Sequence, residues 1–82
     1  MTFVVYSKRL CPYCSKIEQI LDHLSTEKGH CTIIYELGTD FNEEQFYAEF
    51  GEGSTFPQVV CNEKHLGGCI DTIKHLQEHN ML

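Results

Sequence analysis

The chain has 82 residues, of which 41% are hydrophobic, 22% charged and 11% aromatic. This length leaves room for one domain, residues 1–82, and the composition is typical of a packed globular fold rather than a disordered or fibrous chain. Six lysines and arginines against twelve aspartates and glutamates give a formal net charge of −6. Such an acidic chain argues against nucleic acids and anionic membrane surfaces as partners, because both bind basic protein surfaces.

Neither a membrane span nor a signal peptide is expected. The longest apolar runs, residues 3–6 and 32–35, are far shorter than the roughly 20 residues that cross a bilayer. The five cysteines are an odd number, whereas a secreted disulfide framework usually contains an even set. We therefore expect reduced thiols in a reducing compartment, the cytoplasm.

The first half of the chain predicts a strand, a helix and a second strand. Residues 2–7 are β-branched and aromatic, as in a buried strand. Residues 12–25 predict a helix, because apolar side chains recur at i, i+3, i+4 and i+7, and Pro12 fits the first turn. The apolar stripe consists of Ile17, Ile20, Leu21 and Leu24. Residues 31–36 predict the second strand.

A second helix is predicted after the break at residues 38–40. Asp40 and Glu43, three residues apart, resemble a capping box, in which each side chain bonds to the backbone of the other residue. The helix that follows carries Phe46, Tyr47 and Phe50.

The last third of the chain predicts two strands and a helix. Residues 55–61 contain the third strand, which Pro57 begins or borders because proline cannot donate to a sheet. Residues 64–66 form a short fourth strand, and a final helix has Ile70, Ile73 and Leu76 on one face. The order β-α-β-α-β-β-α predicts an α/β fold, a four-stranded mixed sheet flanked by three helices.

The sequence Cys-Pro-Tyr-Cys at residues 11–14 lies where the first strand ends and the first helix begins. Free N–H groups and the positive end of the helix dipole stabilise a thiolate there. Half of the six basic residues surround this pair and favour the thiolate further; they are Lys8, Arg9 and Lys16. We expect Cys11 to be the nucleophile and Cys14 the thiol that resolves its mixed disulfide.

A structural zinc site is the main alternative for such a cysteine pair. It would need a second pair of ligands, for which His65 with Cys69, or His75 with His79, are available. The latter two lie on the polar side of the predicted last helix, and the basic residues beside the cysteines disfavour a cation. Redox chemistry without a bound metal is the expectation.

Three segments together resemble the motif regions of dithiol glutaredoxins, namely residues 6–14, residues 55–57 and residues 67–71. The resemblance covers nearly the whole chain. It implies a thioredoxin-like fold, with glutathione as cosubstrate and no permanently bound cofactor. It further implies reduction of protein disulfides and glutathione mixed disulfides, ribonucleotide reductase being one target class of the family. The oligomeric state stays open, with a monomer as the default.

The same resemblance implies a glutathione site that begins near the cysteines. Lys8 would face the glycine carboxylate of glutathione, and Tyr13 would line the groove. Pro57 would be a cis-proline, and the backbone of Phe56 before it would pair with the cysteinyl part of the ligand. Phe56 stands where the family most often has valine, so its ring is expected to reshape the apolar floor. For the family's contact from the second helix, Gln45 is a weak candidate.

The other end of the implied site lies at the start of the last helix. Gly67 and Gly68 would let the backbone approach the ligand. The helix N-terminus at Cys69 and Ile70 would receive the γ-glutamyl carboxylate, and Asp71 would receive the ammonium group. A helix start is an anion site on physical grounds as well, because its N–H groups are free.

Two other functions remain open. A redoxin that depends on thioredoxin reductase is disfavoured by Lys8, Tyr13 and residues 67–71, and by the lack of a tryptophan before the cysteine pair. An iron–sulfur dimer held through Cys11 and external glutathione is disfavoured by Pro12, because family members that hold clusters usually have a smaller residue there.

The remaining thiols and charges are expected to be structural or solvated. Cys31 and Cys61 fall in predicted strands and are expected to be small buried hydrophobes. Cys69 lies at a helix start, where thiolate character is favoured, and an accessory redox role is kept as the less favoured alternative for it. The histidines show no acidic partner in the sequence. A solvated acidic face is expected from Glu43, Glu44, Glu49 and Glu52.

Overall fold

A computed structural model describes residues 1–82 and confirms the predicted order of elements. The strands and helices are β1 (Thr2–Ser7), α1 (Pro12–Lys28), β2 (Cys31–Glu36), α2 (Glu43–Phe50), β3 (Gln58–Cys61), β4 (Lys64–Gly67) and α3 (Cys69–Glu78). No helix combines the length and the apolar character that crossing a bilayer requires.

The four strands form one mixed sheet in the order β2-β1-β3-β4. β1 and β2 are parallel and are connected through α1, whereas β3 runs antiparallel to both β1 and β4. The register pairs Phe3 with Cys61 and Val5 with Val59, so their side chains share one face of the sheet. This arrangement confirms the predicted α/β fold.

The main core lies between this face of the sheet and the helices α1 and α3. Phe3, Val5 and Ile17 are completely buried there, and so are Leu21 and Leu76. Burying each such side chain contributes about 1.5–3 kcal/mol relative to leaving it in water. The predicted apolar stripe of α1 therefore faces the sheet as expected.

The opposite face of the sheet carries α2 and a cluster of aromatic rings. Phe46, the buried residue of α2, stacks on Phe41 with ring centroids 5.9 Å apart. Tyr6 of β1 contacts Phe41 at 5.3 Å and Phe50 at 4.9 Å. Helices thus cover both faces of the sheet, and aromatic packing holds α2 in place.

Two predicted helix boundaries are wrong. α1 continues past residue 25 to Lys28 and ends at Gly29, whose φ of 73° is the left-handed conformation that glycine adopts readily. The capping box of α2 is formed by Asn42 and Gln45, not by Asp40 and Glu43. The Asp40 carboxylate instead accepts the Glu36 N–H at 2.8 Å, which ties the end of β2 to the loop.

Replacing Asn42 by alanine tests this corrected cap. The Asn42 side chain accepts the Gln45 N–H at 2.8 Å, and the Gln45 side chain accepts the Asn42 N–H at 2.9 Å. Asn42→Ala should lower the free energy of unfolding in urea by about 1 kcal/mol. Glu43→Ala is the control and should change it by less than about 0.5 kcal/mol. A larger loss in Glu43→Ala than in Asn42→Ala would instead indicate a capping box formed by Asp40 and Glu43.

Candidate active site

The strand ends bring distant segments of the chain together. β3 is antiparallel to β1, so Gln58 at its start pairs with Tyr6 near the end of β1. α1 begins directly beyond that end, and the loop before β3 therefore lies beside Cys11. The Cys11 sulfur is 4.0 Å from the carbonyl oxygen of Phe56. The Phe56–Pro57 peptide bond is cis, as the resemblance implied.

Cys11 and Cys14 form a disulfide at the N-terminus of α1, with Cα atoms 5.2 Å apart. Cys11 is the N-cap residue, and its sulfur accepts the Cys14 N–H at 3.3 Å. Cys11 is only half-buried, whereas 1% of Cys14 is exposed. Only the Cys11 sulfur is therefore open to a bulky substrate, and a helix N–H group stabilises negative charge on it.

A groove leads from Tyr13, which lies between the two cysteines in the sequence, to the start of α3. Its cavity of about 340 Å³ is lined by Tyr13, Thr55, Phe56, Pro57, Gln58, Gly67, Gly68, Cys69, Ile70 and Asp71. Seven of the eight residues assigned to glutathione by resemblance are among them. The sequence interpretation missed Thr55 and Gln58, although both flank the Phe56–Pro57 bond and could have been included on that ground.

The eighth residue, Lys8, lies on the other side of Phe56. Lys8, Cys11 and Phe56 line a second cavity, of about 510 Å³, together with Glu43 and Tyr47 of α2. The Lys8 ammonium stands 5.2 Å from the centre of the Phe56 ring, a cation–π contact. The Phe56 ring thus supports the lysine. Sequence reasoning did not foresee this contact.

Phe56 itself is fixed from behind. Its ring stacks on Phe46 of α2 with centroids 4.1 Å apart and planes inclined by only 12°. A parallel stack at this distance holds the Phe56 ring in one orientation. Lys8 is therefore linked to α2 by two successive contacts, from its ammonium group to the Phe56 ring and from that ring to Phe46.

The start of α3 is open to an anion. Gly68 is its N-cap residue and no side chain bonds to the first-turn N–H groups, so these groups are free to donate hydrogen bonds to a ligand. Gly67 has φ of 100°, and a Cβ added to it would lie 2.8 Å from the Asp71 Oδ2 atom. Glycine at this position lets the Asp71 carboxylate lie close to the backbone at the end of β4.

Replacing Gly67 by alanine should therefore destabilise the protein more than a positive φ alone explains. We expect Gly67→Ala to lower the free energy of unfolding by about 2 kcal/mol or more. Gly38→Ala is the matched control, because Gly38 has φ of 90° and nothing within 4 Å of an added Cβ. This control should lower the free energy of unfolding by about 1 kcal/mol. Equal losses in urea unfolding would mean that contact with Asp71 is unimportant.

Three predictions about thiols need correction or confirmation. Cys61 is buried, as predicted, but Cys31 is exposed because β2 is an edge strand. Cys69 is only 5% exposed. Burial raises its pKa, and the nearby positive charge of Lys16 opposes this only in part. Desolvation therefore opposes the thiolate character that the helix start favours at Cys69.

Two side chains near the site have partners that the sequence interpretation did not assign. Gln45, the candidate for the second-helix contact, is engaged in the cap with Asn42 and does not line the groove. His65 Nε2 lies 3.0 Å from Glu49 Oε1, which links β4 to α2. One member of the predicted solvated acidic face is therefore paired.

A disulfide-forming cysteine pair at a helix N-terminus, beside a cis-proline loop on a mixed sheet, defines a thiol–disulfide oxidoreductase. The profile of the family described as Glutaredoxin matches residues 3–66. A glutaredoxin of Ricinus communis is 35% identical over an alignment of 78 positions, which covers 90% of this chain and 72% of that protein. The chain belongs to the glutaredoxin family.

Solved structures agree with this assignment. Oxidised Escherichia coli glutaredoxin superposes with a TM-score of 0.82 at 20% identity and full coverage of both chains, which confirms the thioredoxin-like fold. The crystal structure of a buckwheat glutaredoxin–glutathione complex has a TM-score of 0.70 at 27% identity, over 96% of this chain and 71% of that one.

Proposed function

We propose that this oxidoreductase uses glutathione to reduce protein disulfides and glutathione mixed disulfides. The observation that carries the proposal is that the groove and the second cavity meet at Thr55 and Phe56 beside Cys11, so that together they form one extended groove with charged groups at both ends. Asp71 and the free N–H groups of α3 lie at one end, and Lys8 lies at the other. Glutathione has a carboxylate at each end and an ammonium group beside one of them, which matches this distribution of charge.

The first step of the proposed reaction is an exchange at Cys11. The Cys11 thiolate attacks one sulfur of the substrate disulfide, a new S–S bond forms, and the old S–S bond breaks. The departing sulfur leaves as a thiolate and takes a proton from water. With a glutathione mixed disulfide as substrate, glutathione remains on Cys11 and the target thiol is released.

Two routes complete the cycle. A free glutathione thiolate attacks the glutathione on Cys11, which gives glutathione disulfide and the reduced enzyme. With a protein disulfide, Cys14 attacks the mixed disulfide instead, and the fully reduced protein leaves as the Cys11–Cys14 disulfide forms. Two glutathione molecules then reduce this disulfide and are oxidised to one glutathione disulfide, so electrons balance.

The ends of the groove would orient glutathione for these exchanges. We assign its γ-glutamyl carboxylate to the α3 N-terminus and its ammonium group to Asp71. The glycine carboxylate is assigned to Lys8, and the cysteinyl backbone to Phe56. Tyr13 and Pro57 would enclose the sulfur. The reaction needs reduced glutathione, so we also propose a reducing compartment, the cytoplasm, as its location.

The proposal is tested by coupling the enzyme to two electron sources. Reduction of a small glutathione mixed disulfide should proceed with glutathione and glutathione reductase, and hardly at all with thioredoxin reductase. Turnover with thioredoxin reductase alone would overturn glutathione dependence and leave the oxidoreductase class intact. The disulfide of ribonucleotide reductase should be included as one protein substrate.

Charge-removing variants test the two ends of the groove. Asp71→Asn and Lys8→Gln should each raise the KM for the glutathione mixed disulfide by about tenfold, the loss expected for one charged hydrogen bond. Asp22→Asn and Lys28→Gln remove the same charges from exposed positions on α1 outside the groove and should leave KM unchanged. If each groove variant and its control on α1 changed the KM equally, the effect would come from the net charge of the protein and not from the groove.

A further inference from the structure

A second concave site lies on the α2 face of the sheet. It has a volume of about 280 Å³ and is lined by Tyr6, Tyr35, Asp40, Phe41, Gln45, Phe46 and Glu49. None of these residues lines either cavity beside Cys11. Four of the seven are aromatic and two are acidic, and none is basic. We call these seven residues the aromatic cage.

The rings of the cage have more than one orientation: Phe41 and Phe46 are nearly parallel, with planes at 27°, whereas Tyr6 is inclined to its neighbours. Tyr6 meets Tyr35 with centroids 5.5 Å apart and planes at 62°, and it meets Phe41 at 5.3 Å and 69°. Rings inclined in this way form walls rather than a flat stack, so several faces can border one ligand. The face of an aromatic ring carries negative electrostatic potential and attracts cations.

Two exposed carboxylates, each with one oxygen in a hydrogen bond, add to this potential. Asp40 is held through one oxygen by the Glu36 N–H at 2.8 Å, and Glu49 is held through one oxygen by His65 at 3.0 Å. No hydrogen bond involves the second oxygen of either carboxylate. Burial raises the pKa of Tyr6, and the negative charge of Glu49 raises it further. The charge of Glu49 therefore acts on the hydroxyl group of Tyr6, which lines the same site.

We propose that the aromatic cage binds an alkylated ammonium group, with trimethylammonium as the best fit. A quaternary ammonium group has no hydrogen-bond donor to satisfy, which suits walls made mainly of carbon. Its positive charge suits the ring faces and the two carboxylates. A hard metal ion would need several more oxygen ligands than this site offers.

A titration with choline tests the proposal, and 3,3-dimethylbutan-1-ol is the matched neutral ligand of nearly the same shape. Nuclear magnetic resonance should show saturable shifts of the Tyr6 and Tyr35 ring signals with choline. The neutral alcohol should bind at least about fivefold more weakly, the factor expected for loss of one cation–π interaction. Equal binding of the two ligands would overturn the proposal.

Variants of Tyr35, which lies outside the catalytic groove, test the contribution of an aromatic ring to choline binding. Tyr35 is 37% exposed on the edge strand, so substitution there should not disturb the core. Tyr35→Leu should weaken choline binding by at least about fivefold, and Tyr35→Phe, which keeps the ring, should restore it. If Tyr35→Leu binds choline normally, the cage does not bind the cation.

The contribution of the Glu49 carboxylate is tested against a control variant on the same helix, α2. Glu49→Gln should weaken choline binding by about threefold or more at low salt. Glu44→Gln removes the same charge from α2 but from a residue outside the cage, and it should have no effect. Equal weakening in both variants would assign the binding to net charge and refute the site.

Peptides distinguish two sources of the ammonium group. Choline represents a free small molecule, and a peptide with trimethyllysine represents a modified protein. Tighter binding of that peptide than of choline would assign a modified protein as the ligand, whereas weaker binding would assign the free amine. The matching peptide with unmodified lysine should bind at least about fivefold more weakly than the methylated one. If the two peptides bind equally, the cage does not select alkylated ammonium.

Discussion

Replacing Cys11 by serine is expected to abolish disulfide reduction, with a loss of about a thousandfold or more. Serine cannot supply a thiolate at neutral pH, and the hydroxyl forms no exchangeable disulfide. Cys14 cannot take over, because only 1% of it is exposed and it lies one turn inside α1. Turnover of insulin disulfides with excess reductant measures this loss.

Replacing Cys14 by serine should give a different defect. Cys11 would still attack a protein disulfide, but no second thiol of the enzyme would release it. Without free glutathione a covalent mixed disulfide should therefore accumulate and be visible by mass spectrometry. Cys31→Ser is the control, since Cys31 is an exposed free thiol away from the site, and it should retain full turnover. Accumulation of the adduct in the Cys11 variant instead would reverse the assigned roles.

Local patterns were sufficient to predict the parts of this fold that local interactions determine. The strands at residues 2–7 and 31–36 match the structure residue for residue, because β-branched and aromatic runs bounded by glycine and loop residues have few other uses. The position of the cysteine pair at the start of α1 followed for the same reason. The distant residues of the groove came only from resemblance to a family, since no local pattern relates residues 56 and 71 to Cys11.

The errors arose where two local solutions compete or where burial decides. Asp40 with Glu43 and Asn42 with Gln45 have the same spacing, and the contact of Asp40 with the Glu36 N–H selects the second pair. The exposure of Cys31 depends on β2 lying at the edge of the sheet. These are tertiary facts that spacing along the chain does not contain.

Cys69 shows the same limit in its chemistry. Its position at a helix start favours a thiolate, whereas packing against the core raises its pKa. The two effects oppose each other, and the balance depends on how deeply the thiol is buried. Cys11 also lies at a helix start but is half-buried rather than enclosed. Exposure, not position alone, therefore distinguishes the reactive thiol from the structural one.

Replacing Phe46 by alanine is expected to be the most destabilising single change on the α2 face. Phe46 is 1% exposed and stacks on Phe56 at 4.1 Å, and it contacts Phe50 at 5.0 Å. Truncation removes the apolar transfer energy and leaves a cavity that rigid neighbouring rings fill poorly. The free energy of unfolding in urea should fall by about 3–5 kcal/mol, and Tm by roughly 15 °C or more.

Two further variants separate this packing effect from helix propensity. Phe46→Leu keeps much of the volume and should cost about 1–2 kcal/mol, whereas Glu44→Ala, on the exposed side of α2, should change stability by less than about 0.5 kcal/mol. Because Phe46 supports the Phe56 ring beneath Lys8, Phe46→Ala should also raise the KM for the glutathione mixed disulfide where the protein is still folded. If Phe46→Ala lowered the free energy of unfolding by less than about 1 kcal/mol, this stack would not hold α2 in place. The proposed connection from α2 to Lys8 would then also be wrong.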